Sequence, residues 1–143
     1  KKPVGLLIDS DVLIEIEKGR IDLQKFISGR EEEEFFISAI TASELLHGVW
    51  RAENPDTHAR RSAFVESILA TFPILEIDLK IARIHAEIYS AMLKKKKIIG
   101  IHDSWIAASC LAYGLTLISK NIKDFQNVPG LIIELWPQKL KAV

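Results

Sequence analysis

The sequence carries a single cysteine, Cys110, so it can form neither an intramolecular disulfide nor a thiolate metal cluster. Set in "WIAASCLAYG", that thiol reads as an inert buried side chain, not as a nucleophile. Long apolar runs are missing too. None approaches the roughly 20 residues a helix needs to span a bilayer, so no membrane partner is expected. The start, "KKPVGLLIDSDVL", has acids inside its apolar stretch where a cleavable signal carries small residues, and the expected location is the cytoplasm. Net charge is likewise absent: nineteen basic residues offset nineteen acidic ones, which neither favours nor excludes a nucleic-acid partner. No repeat, low-complexity linker or internal boundary divides the 143 residues, so one domain is expected.

What is present is a folding composition, with 48% hydrophobic and 27% charged residues, enough for a substantial core. Pattern predicts a strand over 4–9, helical stretches over 11–18 and 21–29 separated by Gly19, and a second strand in "EFFIS". Two consecutive helices follow in "ITASELLHGVWRA" and "PDTHARRSAFVESILATF", the second with Pro55 in its first turn. "PILEI" reads as a third strand, and "DLKIARIHAEIYSAMLKKKK" as a long helix stopped by Gly100. A helix in "HDSWIAASCLAYG" closes at Gly114, and strands in "LTLIS" and "LIIEL" flank a short helical turn in "NIKDFQN". Strands separated by helices imply an α/β fold with a central, mainly parallel sheet flanked by helices. The basic tail "PQKLKAV" is expected to be loose at its end.

In such sheets, sites form where the carboxyl ends of strands meet the first turns of helices. Asp9 and Asp11 fall there. Each acid has a structural reading: Asp9 or Ser10 as a helix cap, Thr41 with Glu44 as a capping box, Asp103 as a cap, Asn121 as a cap with Asp124 in the first turn. Those readings do not explain why acids stand at the starts of four helices in a fold that gathers such ends. Clustered carboxylates repel one another unless a cation sits among them. A hard divalent ion binds through a few carboxylates, waters and a substrate phosphate, which suggests metal-assisted phosphodiester hydrolysis.

Four ordered segments, "LLIDSDVLIEI", "FFISAITASELLHGV", "IGIHDSWIAASCLAYGLTLISKNIKDF" and "VPGLIIELW", cover nearly the whole chain and resemble a PIN domain, more closely the VapC-type toxin of a toxin–antitoxin pair. The resemblance implies a single PIN-like domain over residues 1–143 and an endoribonuclease using Mg²⁺ or Mn²⁺. By the same resemblance Asp9, Glu44 and Asp103 match the acidic triad and Asp124 the more variable fourth acid, together the implied catalytic and metal-holding set. Asp11, Ser38, Thr41, Ser119 and Asn121 match positions that orient carboxylates and waters. It also implies an RNA substrate, a homodimer and a small antitoxin whose C-terminal segment lies across the site. Trp105 departs from the family pattern, which more often has an aliphatic residue there.

The alternatives are a non-catalytic PIN-like module that binds RNA or protein, and a phosphatase of the D-x-D type, for which a later paired-acid motif is lacking. A receiver domain fits poorly because residues 40–72 read as consecutive helices. Histidine-based ribonuclease chemistry would need His85, His58 or His102. His85 lies on an apolar helical face, His58 in a charged stretch, and His102 beside Asp103. The runs "EEEE" at 31–34 and "KKKK" at 94–97 read as solvated faces. Lys94, Lys95, Lys96 and Lys97 with Arg51, Arg60 and Arg61 are nonetheless the candidate track for an RNA backbone.

Overall fold

The computed structural model describes residues 5–136. Val4 of the first expected strand and the tail from Pro137 onward lie outside them. Strand β1 (Gly5–Ile8) leads into α1 (Ser10–Glu17) and the short α2 (Leu23–Ile27), then β2 (Glu34–Ser38). Helices α3 (Ala39–Arg51) and α4 (Pro55–Thr71) follow without a strand between them, then β3 (Ile74–Leu75) and α5 (Leu79–Lys94). The chain ends through α6 (Ile101–Tyr113), β4 (Thr116–Ser119), a 3-10 turn (Ile122–Asp124) and β5 (Ile133–Leu135).

All four strand pairings are parallel, in the order β3-β2-β1-β4-β5. The chain winds outward from β1 through β2 to β3, then returns to lay β4 on the other side of β1. The order therefore reverses between β1 and β4, the place where ligands commonly bind in such sheets, at the carboxyl ends of the strands. Asp9 follows β1 there, and Ser119 closes β4.

Strand periodicity divides the core between the two faces of the sheet. Leu6 and Ile8 belong to one cluster with Val12, Leu13, Leu45, Val49, Val65 and Ile68, contributed by α1, α3 and α4. Leu7, between them, faces the other cluster with Ile81, Ile88, Met92, Ile106 and Cys110 from α5 and α6. Because both faces are covered, β1 reads as the unbroken run "GLLI" instead of an alternating one. Cys110 is buried and free, and burial pushes its thiol well above its ordinary pKa, as its apolar setting predicts.

Several boundaries differ from the sequence reading. β3 is only two residues and β5 three, because each lies at an edge of the sheet, where one side of the ladder has no partner to extend it. Gly100 does not stop α5. The helix ends at Lys94, Lys96 takes φ 56°, and Gly100 becomes the N-cap of α6. Gly114 does close α6, at φ 64°, in the left-handed conformation that glycine adopts without a Cβ penalty. Asn54 caps α4 through hydrogen bonds from the Asp56 and Thr57 amides, with Pro55 at the first helical position.

Candidate functional site

Asp9 stands at the switch point in extended backbone, and its own amide donates to Ile118 O of β4 at 2.9 Å. It is 7% exposed, an unusual place for a carboxylate. Its Oδ1 accepts from the Ser10 amide at 2.9 Å, so the expected cap exists. Its Oδ2 lies 3.0 Å from Ser119 Oγ, which capping alone does not require. The same hydroxyl is 3.2 Å from Asp11 Oδ2, and the Lys120 amide donates to that oxygen at 3.1 Å. Asp11 Oδ1 is buried without a hydrogen-bond partner among the described residues. Burial, then the neighbouring Asp11 charge, pushes the Asp9 pKa up to about 7, and burial raises that of Asp11.

The other acids approach from α3, α6 and the 3-10 turn. Asp103 sits in the first turn of α6, where the helix dipole favours a carboxylate. It does not cap the helix: the N-cap is Gly100, without a side-chain cap bond. Burial first, then the charges of Asp124, Glu44 and Asp11, raises the Asp103 pKa to about 6. Asp103 also adds to the upward push on Asp9. Asp103 is therefore near enough to sense Asp9, Asp11, Glu44 and Asp124, although these acids span residues 9 to 124. Asn121 caps the 3-10 turn through its Oδ1, which accepts from the Lys123 amide, and its Nδ2 donates to Asp124 Oδ2 at 3.2 Å.

The capping box expected from Thr41 and Glu44 is not formed. α3 begins earlier, at Ala39, and its cap is Ser38, whose Oγ accepts from the Ile40 amide at 3.0 Å. The physical reason is that β2 runs on to Ser38, so the chain turns helical directly at the strand end. Thr41 consequently lies inside the helix, fully buried, with Oγ1 unpartnered among the described residues. Glu44 is freed from capping, and its Oε2 lies 3.5 Å from His102 Nδ1.

The remaining candidates divide. Arg51 and Arg61 line a groove of about 260 Å³ with Glu44, Ile14 and Val65. Arg61 is already engaged there, donating to Gly48 O at 3.2 Å and standing 3.5 Å from Glu17. Arg60 points elsewhere, to Thr57 Oγ1, so the adjacent arginines do not act as a pair. Lys94, Lys95, Lys96 and Lys97 are all exposed at the end of α5. His85 is half-buried, stacked on Trp105 at 3.7 Å between centroids and 2.8 Å from Ser104 Oγ, and burial lowers its pKa. The residue that departs from the family pattern thus packs α6 against α5. His58 is not a free surface group, because its Nδ1 lies 2.9 Å from Val49 O and ties α4 to α3.

Sequence reading missed Glu15 and Lys120. Glu15 is 8% exposed on α1, and the Lys120 Nζ hydrogen bond, 2.8 Å long, holds its carboxyl below the ordinary range. The available signal was a charged residue inside the apolar run "VLIEI".

Among the described residues, no group of three or more His, Cys, Asp and Glu side chains is arranged as a ready cage for a metal ion. The donor set nevertheless suits a hard divalent cation. It is all oxygen, burial first and neighbouring carboxylates second raise the pKa of Asp9 and Asp103, and Asp11 Oδ1 is a buried oxygen with no partner among the described residues. Mg²⁺ needs no such cage, since it commonly keeps several waters and takes one or two carboxylates.

Acids gathered at the switch point of a parallel α/β sheet define a class of hydrolytic site, and comparison gives its family. The PIN domain model matches residues 6–131. Ribonuclease VapC1 of Rickettsia felis is 32% identical over 128 residues, covering 90% of this chain and 93% of that protein. With matches of this extent, the chain belongs to the PIN-domain family, in its VapC branch. The crystal structure of DNA-bound VapBC from Salmonella typhimurium shares the fold at a TM-score of 0.84 and 24% identity, covering 93% of this chain and 98% of that one. VapBC-5 of Mycobacterium tuberculosis, a member of the VapBC family of toxin–antitoxin systems, is similar at a TM-score of 0.72 and 25% identity, with 93% and 98% covered.

Proposed function

We propose that this chain is a divalent-metal-dependent endoribonuclease that hydrolyses RNA phosphodiesters, acting as a single domain and as the toxin of a toxin–antitoxin pair in the cytoplasm. The observation that carries this reading is the pair of carboxylates, Asp9 and Asp11, held against one Ser119 hydroxyl at the switch point, with Asp103 close enough to raise the Asp9 pKa. A purely structural site would not concentrate repelling charges where such sheets commonly bind ligands. The relatives named as VapC ribonucleases support the reaction class, and the VapBC-5 likeness supports an antitoxin partner.

Asp9, Asp103, Glu44 and Asp124 are the residues that would hold Mg²⁺ or Mn²⁺. When bound, such an ion lowers the pKa of a water and stabilises charge on the leaving oxygen. The chain's own work is to aim these oxygens. The Ser10 amide and Ser119 hydroxyl fix Asp9, and Ser119 with the Lys120 amide fixes Asp11. Asn121 restrains Asp124, and His102 stands beside Glu44. Ser38 anchors the start of the helix that carries Glu44, and Thr41 offers a buried hydroxyl one turn before it. Arg51, and Arg61 if released from Gly48 O and Glu17, would meet RNA phosphates in the groove they line with Glu44, while Arg60 and the lysine run would add diffuse attraction. The family's dimeric habit extends the proposal to a homodimer.

The test is to map cut sites in total cellular RNA after brief expression of the protein, with Asp9→Asn and Asp103→Asn controls. Discrete cuts are expected from the wild type and none from either variant. Purified protein should lose cleavage in excess EDTA and regain it with added Mg²⁺ or Mn²⁺. Cleavage that persists in EDTA would redirect the chemistry to histidine, and no cleavage of any RNA would favour the non-catalytic module.

A further inference from the structure

We propose that Glu15 and Lys120 are positioning residues for the acidic site, an ion pair that fixes the segment after β4 against α1 and so sets where Ser119, Asn121 and Asp124 stand. Asp11 and Glu15 lie four residues apart on α1, one turn above each other on the same face. Lys120 is held at both ends by that face. Its amide donates to Asp11 Oδ2 at 3.1 Å, and its Nζ donates to Glu15 Oε1 at 2.8 Å.

The neighbours of Lys120 carry the acids' contacts. Ser119, just before it, meets Asp9 and Asp11. Asn121, just after it, donates its amide to Ser119 Oγ at 3.1 Å and its Nδ2 to Asp124. A shift of Lys120 along α1 would therefore displace three of these hydrogen bonds together.

Stability gives little reason for the pair to exist. A nearly buried carboxylate costs desolvation that its partner commonly only offsets, and an apolar side chain of similar volume would serve stability as well. Arg20 also reaches Glu15 Oε1, at 3.2 Å, but it is 64% exposed and contacts nothing in the acidic site among the described residues. Arg20 thus serves as an internal control, sharing the carboxylate without touching the segment that Lys120 holds. The kinetic part of the proposal rests on the ribonuclease reading above, and the structural part does not.

The experiment compares Glu15→Gln, Lys120→Met, their double variant, Lys120→Arg and Arg20→Gln in the full chain. Amide hydrogen exchange of the metal-free protein should show protection at Lys120 and Asn121 falling roughly tenfold in the first two variants, with α6 amides unchanged. On an RNA oligonucleotide spanning a mapped cut site, kcat should fall roughly tenfold with KM within about twofold, since misplacement of reacting groups lowers the chemical step. The double variant should be no worse than the poorer single, Lys120→Arg should recover most of the rate, and Arg20→Gln should match the wild type. Unchanged exchange, or unchanged kcat in both single variants, would overturn the proposal. So would a rise in KM confined to Lys120→Met, which would make Lys120 an RNA contact. Should Glu15→Gln fail to fold, Lys120→Met and its recovery by arginine decide the question. Should the wild type cut no RNA, the ribonuclease reading falls and the exchange measurements alone judge the clamp.

Discussion

Ser119 Oγ lies 3.0 Å from Asp9 Oδ2 and 3.2 Å from Asp11 Oδ2, so one hydroxyl serves two carboxylates 110 and 108 residues away in the chain. A hydroxyl has a single hydrogen and can donate to only one of them at a time. The two contacts therefore share one hydrogen, and burial first raises the pKa of both acids. The geometry crowds two carboxylates onto one donor.

Ser119→Ala removes the shared donor. The expected loss of stability at neutral pH is about 1–2 kcal/mol, since the buried Asp9 and the half-buried Asp11 lose a partner. Under the proposed function, cleavage falls while Ser119→Thr retains most of it. Thermal unfolding and rate measurements on the two variants check this, and equal loss in both would make Ser119 a packing residue.

Metal-free stability should fall as pH rises from 5 to 7.5. Asp9 at about 7 and Asp103 at about 6 hold protons in the fold that the unfolded chain, near the ordinary aspartate value of 3.8, has already released. The folded state thus binds more protons across that window and loses stability as they leave. His85, with its lowered pKa, acts in the opposite direction below its unfolded value, so the readout is the difference between wild type and Asp9→Asn. At pH 8 the variant should be more stable by roughly 2–4 kcal/mol, with the advantage gone by pH 4. Added Mg²⁺ should stabilise the wild type at pH 8 by binding the folded state alone. A wild type that matches the variant at pH 8 in EDTA would refute the strain.

Ser38 and Thr41 should respond oppositely. Ser38→Ala deletes the cap of α3 and should cost about 1 kcal/mol. Thr41→Val keeps the shape and removes a buried hydroxyl with no partner, so it should leave stability unchanged or raise it by up to about 1 kcal/mol. Denaturant midpoints distinguish this from the capping-box pattern, in which Thr41→Val would be the costly change.

Among the basic groups, Arg51→Gln should weaken RNA binding more than replacing Lys94 to Lys97, because Arg51 shares a groove with Glu44. Each lost phosphate contact should flatten the slope of log K against log salt by roughly 0.7 to 0.9. Salt titrations with an Asp9→Asn background, which binds without cutting, provide the measurement. An unchanged slope for Arg51→Gln would remove the groove from the RNA path.

Much of the frame was legible in one dimension. The apolar run before Asp9, the helical spacing of α3 to α6, Pro55 and Gly114 are local signals, set by side-chain periodicity and backbone propensity, and the elements appear where those signals lie. The four-segment resemblance likewise pointed to the family that the comparison found. The sequence also nominated Asp9, Asp11, Glu44, Asp103, Asn121 and Asp124, because each stands near an expected helix start and matches the family resemblance. It could not tell a capping acid from one left free, since a cap depends on which residue first turns helical. Ala39 does so directly after Ser38 at the end of β2, which releases Thr41 and Glu44 from the box their spacing suggests. Nor could it show that Ser119 would bridge Asp9 and Asp11, or that Lys120 would reach Glu15. Those contacts exist because parallel pairing lays β4 beside β1, and sheet order is a long-range choice that local propensity does not encode.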